Sequence, residues 1–182
     1  SKVSTFIEKP KSHMIKNVAI NETGISINGL KAIAQSLKNR KIIKIMSISM
    51  AIHGGAGTII AADMTKDLEA AYKVALDEAL MAGFHLLEKG GTAASAVLAA
   101  TISLEDNPLF NAGRGSVFTN TGSHEMDAAI MVGHDLDAGA VAGVSNIRNP
   151  VLLAAEIMHN SDHVFLSGHG AETFALRRGL QL

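Results

Sequence analysis

A chain of 182 residues that is 47% apolar and 18% charged is long enough to bury a sizeable core. It has no run of eighteen uncharged apolar residues and no opening that reads as a signal peptide, so a soluble cytoplasmic protein is expected, with no membrane partner. Cysteine is absent, which excludes disulfides, thiolate metal sites and cysteine nucleophiles. The net charge of −1 is unevenly spread: residues 1–50 hold nine Lys/Arg against two acids, and residues 51–182 hold seven against fifteen. Two differently built pieces are expected. The basic piece has one aromatic, Phe6, and no Arg cluster, so it carries no signature of nucleic-acid binding. A first residue of Ser rather than Met suggests a processed chain or a fragment.

In chain order, Ile15, Val18 and Ile20 are spaced as a short strand, and Gly29-Leu30, Ile33-Ala34 and Leu37 fall on one helix face. Ile42 and Ile45 repeat Ile15 and Val18 after 27 residues, with Ser47 breaking the pattern. Residues 15–48 resemble a leucine-rich repeat of the ribonuclease-inhibitor type, the likeness resting on Asn28 to Leu37. A single repeat cannot cover its own apolar face. Residues 1–49 are therefore expected to form a basic strand-helix extension, either the stump of an array or an appendage; an amphipathic unit without repeat ancestry is the alternative.

From Ile42 to Ile52 the chain reads as a partly buried strand with Met46, Ile48, Met50 and Ile52 on one side, running into His53-Gly54-Gly55-Ala56-Gly57. Asp67 to Lys89 has helical spacing and a Gly90-Gly91 stop, and Thr92 is placed to cap a second helix, Ala93 to Glu105. The Ala-rich face of that helix (Ala96, Ala99, Ala100) suits a flat sheet. Strands are predicted over 116–119, 126–132, 138–144 and 164–166. Asn149 is predicted to cap a helix that begins at Pro150 and runs to about His159, and a last helix is predicted over 170–178. Helices bracketed by strands argue for a layered α/β or α+β domain over 50–182.

Five segments in order, Ala51 to Gly57, Asn107 to Gly115, His124 to Ala128, Gly139 to Val144 and Arg148 to Val151, resemble the successive signatures of plant-type asparaginases/isoaspartyl peptidases. The resemblance spans about 130 residues from Met50 and implies an α+β fold, the four-layer αββα sandwich of the N-terminal-nucleophile hydrolases. It also implies a precursor cut autocatalytically into α and β subunits, with the new N-terminal Thr as nucleophile. A free α-amino group of pKa about 7.7–8.0 can act as base beside that hydroxyl. The implied activity is hydrolysis of L-asparagine or β-aspartyl peptides, in an (αβ)2 assembly. No Gly-Thr-Val-Gly segment occurs, and Gly57-Thr58 and Gly91-Thr92 are read as a turn and a helix start. The chain is thus expected to be an α-subunit-like region truncated before the nucleophile and inactive by itself, needing a β subunit. A repeat-linked binding module or an inactive fragment is the alternative.

The resemblance places a sodium loop at Leu104 to Arg114, with main-chain carbonyls of Leu104, Glu105, Asn107, Phe110, Ala112 and Arg114 around the ion. Carbonyl oxygens suit a hard, weakly polarising cation. No other cofactor is implied. Gly113 and Gly115 are expected to supply positive-φ turns. No catalytic residue is expected within the chain. The supporting residues are Asn111, which in relatives lies near the nucleophile, and the glycine stretch of His53, Gly54 and Gly55. Glu125 and Asp127 would share a strand face, and are read as hydrogen-bond acceptors rather than an acid/base pair. His159 and His163 are four apart, as zinc ligands on a helix are, but no third ligand is evident.

Overall fold

The structure, a computed structural model, describes residues 48–55 and 63–182. The repeat-like stretch, Ile48 apart, and the Gly57-Thr58 pair lie outside the described residues. All described residues except Ile48 fall in one compact unit.

Helix α1, Lys66–Glu88, buries a stripe of Ala75, Ala79, Gly83 and Leu87, four residues apart and therefore on one face. Thr65 Oγ1 caps it by accepting the Leu68 N–H at 3.1 Å, and Gly90, at φ +83°, ends the turn beyond it. Helix α2, Ala93–Glu105, starts on the predicted cap, Thr92 Oγ1 accepting the Ser95 N–H at 3.1 Å. Its buried Ala96 and Ala100 meet chiefly α1 rather than a flat sheet. There Gly83 lets the Ala96 carbonyl come close.

Strands β1 (Met126–Met131) and β2 (Ala138–Val144) are antiparallel, and β3 (Phe165–Ser167) lies parallel to β2, giving the order β1-β2-β3. A bulge sets Ala142 and Gly143 opposite Asp127, whose Oδ1 accepts the Gly143 N–H at 3.0 Å. Helix α3, Pro150–Asn160, connects β2 to β3 and covers β1 and β2. Helix α4, Gly168–Arg177, follows β3 directly and begins two residues before its expected start. The core between strands and helices is Met126, Ile130, Val141, Val144, Leu153, Ala154, Ile157, Ala171 and Ala175. Gly139 brings α3 onto the sheet, because a Cβ there would strike the Ala154 carbonyl oxygen. On the other face Ala129, Met131 and Phe165 are exposed.

Among the described residues there is one mixed sheet and four α-helices. Of the strand expected from Ile42 to Ile52 only residues 48–52 are described, and the strand expected over 116–119 is absent. Residues 48–52 hold only a bridge residue at Ala51, and 116–119 only the isolated Phe118–His124 bridge. In the second case the cause is local. The Val117 N–H is taken by Asn111 Oδ1, and the hydroxyls of Thr119, Thr121 and Ser123 tie the chain into a tight turn.

Candidate functional site

Phe110 is buried and is the point where three segments meet. Its ring stands edge-on to Tyr72 of α1, with centroids 5.8 Å apart, and clusters with Ala75, Ala79 and Leu104. Gly54 lies against the same ring, since a Cβ there would come 3.0 Å from Phe110 Cε1. The glycine stretch and the 104–114 loop therefore touch. His53, exposed, accepts the Gly55 N–H at Nδ1 at 3.1 Å, bracing a residue at φ +113°.

Inside the loop, bare backbone makes room for carbonyl groups. A Cβ on Gly113, at φ +50°, would strike the Glu105 carbonyl oxygen. One on Gly115 would strike the carbonyl oxygens of Phe110 and Pro108. Gly115 is thus required for close approach, not for the positive φ expected of it. The carbonyls of Asn107, Phe110 and Ala112 each accept one loop N–H, at 2.8–3.4 Å, and that of Leu104 accepts those of Asp106 and Asn107; among the described residues no backbone donor reaches those of Glu105 and Arg114. Each carbonyl oxygen has a second lone pair. This crowding of carbonyls fits a monovalent hard cation in donor type. The described residues contain no group of three or more His, Cys, Asp or Glu able to hold a metal. Asn111, the side chain singled out from the sequence, is half-buried and accepts the Val117 N–H at 2.9 Å where the chain leaves the loop.

No local pattern announces the role of the Glu105 side chain. Its Oε1 accepts the Val151 N–H at 3.0 Å, on the first turn of α3, while Oε2 is buried with no hydrogen-bond partner. Asn149 occupies the cap position of α3 but makes no side-chain cap bond, and donates instead from Nδ2 to Asp106 Oδ1 at 3.2 Å. Glu105 thus replaces the predicted Asn149 cap. Burial pushes its carboxyl up to about 7; the Val151 N–H and Asn149 oppose the rise, and neighbouring Asp106 adds to it.

Beside the loop an open cleft of about 890 Å³ is lined by Arg114, Ser116, His124, Arg148, His169 and Glu172 among others. Glu172 accepts the N–H groups of Ser145 at 2.8 Å and Asn146 at 3.1 Å. The Ser145 N–H foremost holds its carboxyl below the ordinary range. Ser145 Oγ donates to the His124 carbonyl at 2.8 Å, and Ser116 Oγ lies 3.2 Å from His124 Nδ1. These partners are up to 27 residues apart in sequence, so no local spacing could have announced them.

The remaining candidates are kept apart. Glu125 is exposed ahead of β1, and Asp127 turns to Gly143, so the two form no carboxylate pair. His163 lies beyond the end of α3 at Asn160, and does not share a helix face with His159. Thr92 is engaged as a helix cap.

The sequence model of the asparaginase family, Asparaginase_2, matches residues 46–182. The chain belongs to this family. It is 50% identical over 131 residues to the isoaspartyl peptidase of Salmonella typhimurium, covering 72% of this chain and 42% of that protein. It is similar to the putative isoaspartyl peptidase/L-asparaginase of Dictyostelium discoideum, at 47% over 133 residues, 73% of this chain and 38% of that one. It also resembles the plant-type L-asparaginase of Thermococcus kodakarensis, at 48% over 131 residues, 71% of this chain and 41% of that one. The chain spans about two fifths of the length of these relatives. Every residue of the site described above lies inside the asparaginase-family match. No described helix is long and apolar enough to cross a membrane.

Proposed function

We propose that this chain provides the α-subunit side of an amidohydrolase acting on L-asparagine or β-aspartyl peptides. The observation that carries the reading is the meeting of glycine stretch and 104–114 loop over Phe110, in a chain of the asparaginase family. The relatives named isoaspartyl peptidase and L-asparaginase support the substrate class.

In this reading the attacking hydroxyl is that of an N-terminal threonine exposed by autoproteolysis and supplied from outside the described residues. The one described Gly-Thr pair, Gly91-Thr92, is built into the start of α2 with its hydroxyl engaged. This chain's own part is to orient and support. Asn111, pinned to the Val117 N–H, fixes the surroundings of the nucleophile, and His53 holds the backbone of Gly55. The carbonyls of Leu104, Glu105, Asn107, Phe110, Ala112 and Arg114 would hold a structural Na⁺, which supplies fixed positive charge that stiffens the loop. No other cofactor is invoked. The exposed Ala129, Met131 and Phe165 are the face that a second sheet, from a β subunit, would cover in a four-layer αββα sandwich. Two αβ units would then pair in a cytoplasmic enzyme.

The test is complementation. The purified chain is mixed with a separately made β-type subunit of a relative, and ammonia release from L-asparagine and from β-aspartyl dipeptides is followed. Release by the mixture and by neither part alone is expected; a well-folded but silent mixture would remove the reading. For the cation, melting in sodium should occur at a higher temperature than in N-methylglucamine buffer, and identical melts would remove the ion from the scheme.

A further inference from the structure

The residues that follow α4 do not leave the described unit freely. Arg148 grips them and the end of α2 at once. Its Nε and Nη2 donate to Asp106 Oδ1 and Oδ2, both at 3.2 Å, as a planar fork on a carboxylate. Its Nη1 donates to Gln181 Oε1 at 3.0 Å, and its backbone N–H to the Gln181 carbonyl at 3.2 Å. The tail turns back at Gly179, φ +73°, and the Leu180 N–H reaches the Ala175 carbonyl at 3.0 Å, placing Leu180 against the main core. Asp106 follows Glu105, whose side chain caps α3 and whose carbonyl crowds Gly113. One peptide unit at the end of α2 therefore touches the loop, the start of α3 and, through Arg148, the tail.

We propose that Arg148 is a positioning residue that latches residues 178–182 to the end of α2, so that order in this tail follows order in the 104–114 loop. The dependence on the loop rests on the cation reading above, whereas the latch itself does not. The pair is partly exposed, with side chains 51% and 38% accessible, so its effect is on local opening rather than on global stability. A lysine at 148 could not span both Asp106 oxygens and Gln181 together.

Amide hydrogen exchange, read by NMR on the full chain, tests both halves. In Arg148→Ala the amides of residue 148 and Leu180 should exchange roughly threefold to tenfold faster, with those of Ala75 to Ala79 in α1 unchanged. Arg148→Lys should recover only part of the protection. In the wild type, sodium in place of N-methylglucamine should slow both the loop amides of Phe110 and Ala112 and the tail amides; in Asp106→Ala it should slow the loop alone. Unchanged tail amides in Arg148→Ala, or acceleration spread equally through α1, would overturn the latch. Equal sodium protection of the tail in the wild type and in Asp106→Ala would overturn the dependence. If sodium leaves the wild-type loop amides untouched, the cation reading falls and the dependence with it, while Arg148→Ala still decides the latch.

Discussion

Where α3 meets β1 and β2, the contact is between apolar side chains: Leu153, Ile157, Val141 and Val144 are sealed from solvent. Where α2 runs into the 104–114 loop, carbonyl groups, bare glycine backbone and a buried carboxyl crowd together beside a small apolar cluster of Phe110, Leu104, Ala75 and Ala79. The first region is a stability element whose residues are interchangeable with others of similar volume. The second holds polar atoms under steric constraint, which is how a region looks when it is shaped for a task.

The comparison can be broken most forcefully in the first region. Leu153→Ala should lower unfolding stability by about 2–5 kcal/mol, seen as a shifted denaturant midpoint, because the cavity lies in the centre of the sheet-helix core. Gly115→Ala should cost about 1–3 kcal/mol by forcing the Phe110 and Pro108 carbonyls apart. Its distinguishing mark would be loss of any sodium effect on melting, whereas Leu153→Ala keeps that effect. Should Gly115→Ala leave the sodium effect intact, the loop is not the cation's seat.

Glu105 sharpens the contrast through pH. Its carboxyl is raised from 4.5 to about 7 in the folded state, so folding favours the protonated form. The stability it contributes is complete below about pH 4.5 and is lost as pH rises through about 7, a change of about 3 kcal/mol. Glu105→Gln should flatten stability over that window while the amide oxygen keeps the bond to the Val151 N–H; an unaltered slope would show that another group titrates there. At the small end, Phe165→Ser on the open sheet face should change stability by less than about 0.5 kcal/mol in the isolated chain. It should nevertheless weaken association with a β-type subunit, measurable by titration calorimetry.

Much of the fold was legible because local rules agreed with the outcome. Thr92 caps α2, Gly90 and Gly91 close α1, and Pro150 opens α3 as their positions require. The missed strand at 116–119 and the misassigned Asn149 cap both turn on side chains that took backbone donors: Asn111, six residues off, holds the Val117 N–H, and the Glu105 side chain stands in for Asn149. Glu105 supplies the α3 cap from 46 residues away. Within the site, the positive φ of Gly113 was legible, but the close approaches that Gly54, Gly113 and Gly115 permit were not, since what a Cβ would strike depends on chain segments brought together only by folding. The same holds for the Arg148 fork on Asp106, 42 residues away.

The central claim is that this region orients a nucleophile it does not itself provide. The most direct measurement is the rate of aspartate release from a β-aspartyl dipeptide by the chain combined with a β-type subunit, for the wild type and for Asn111→Ala. A turning-over wild-type mixture, at least about a hundredfold faster than a variant that folds equally well, is the predicted result. Equal rates for the two mixtures, or turnover by this polypeptide alone, would contradict it.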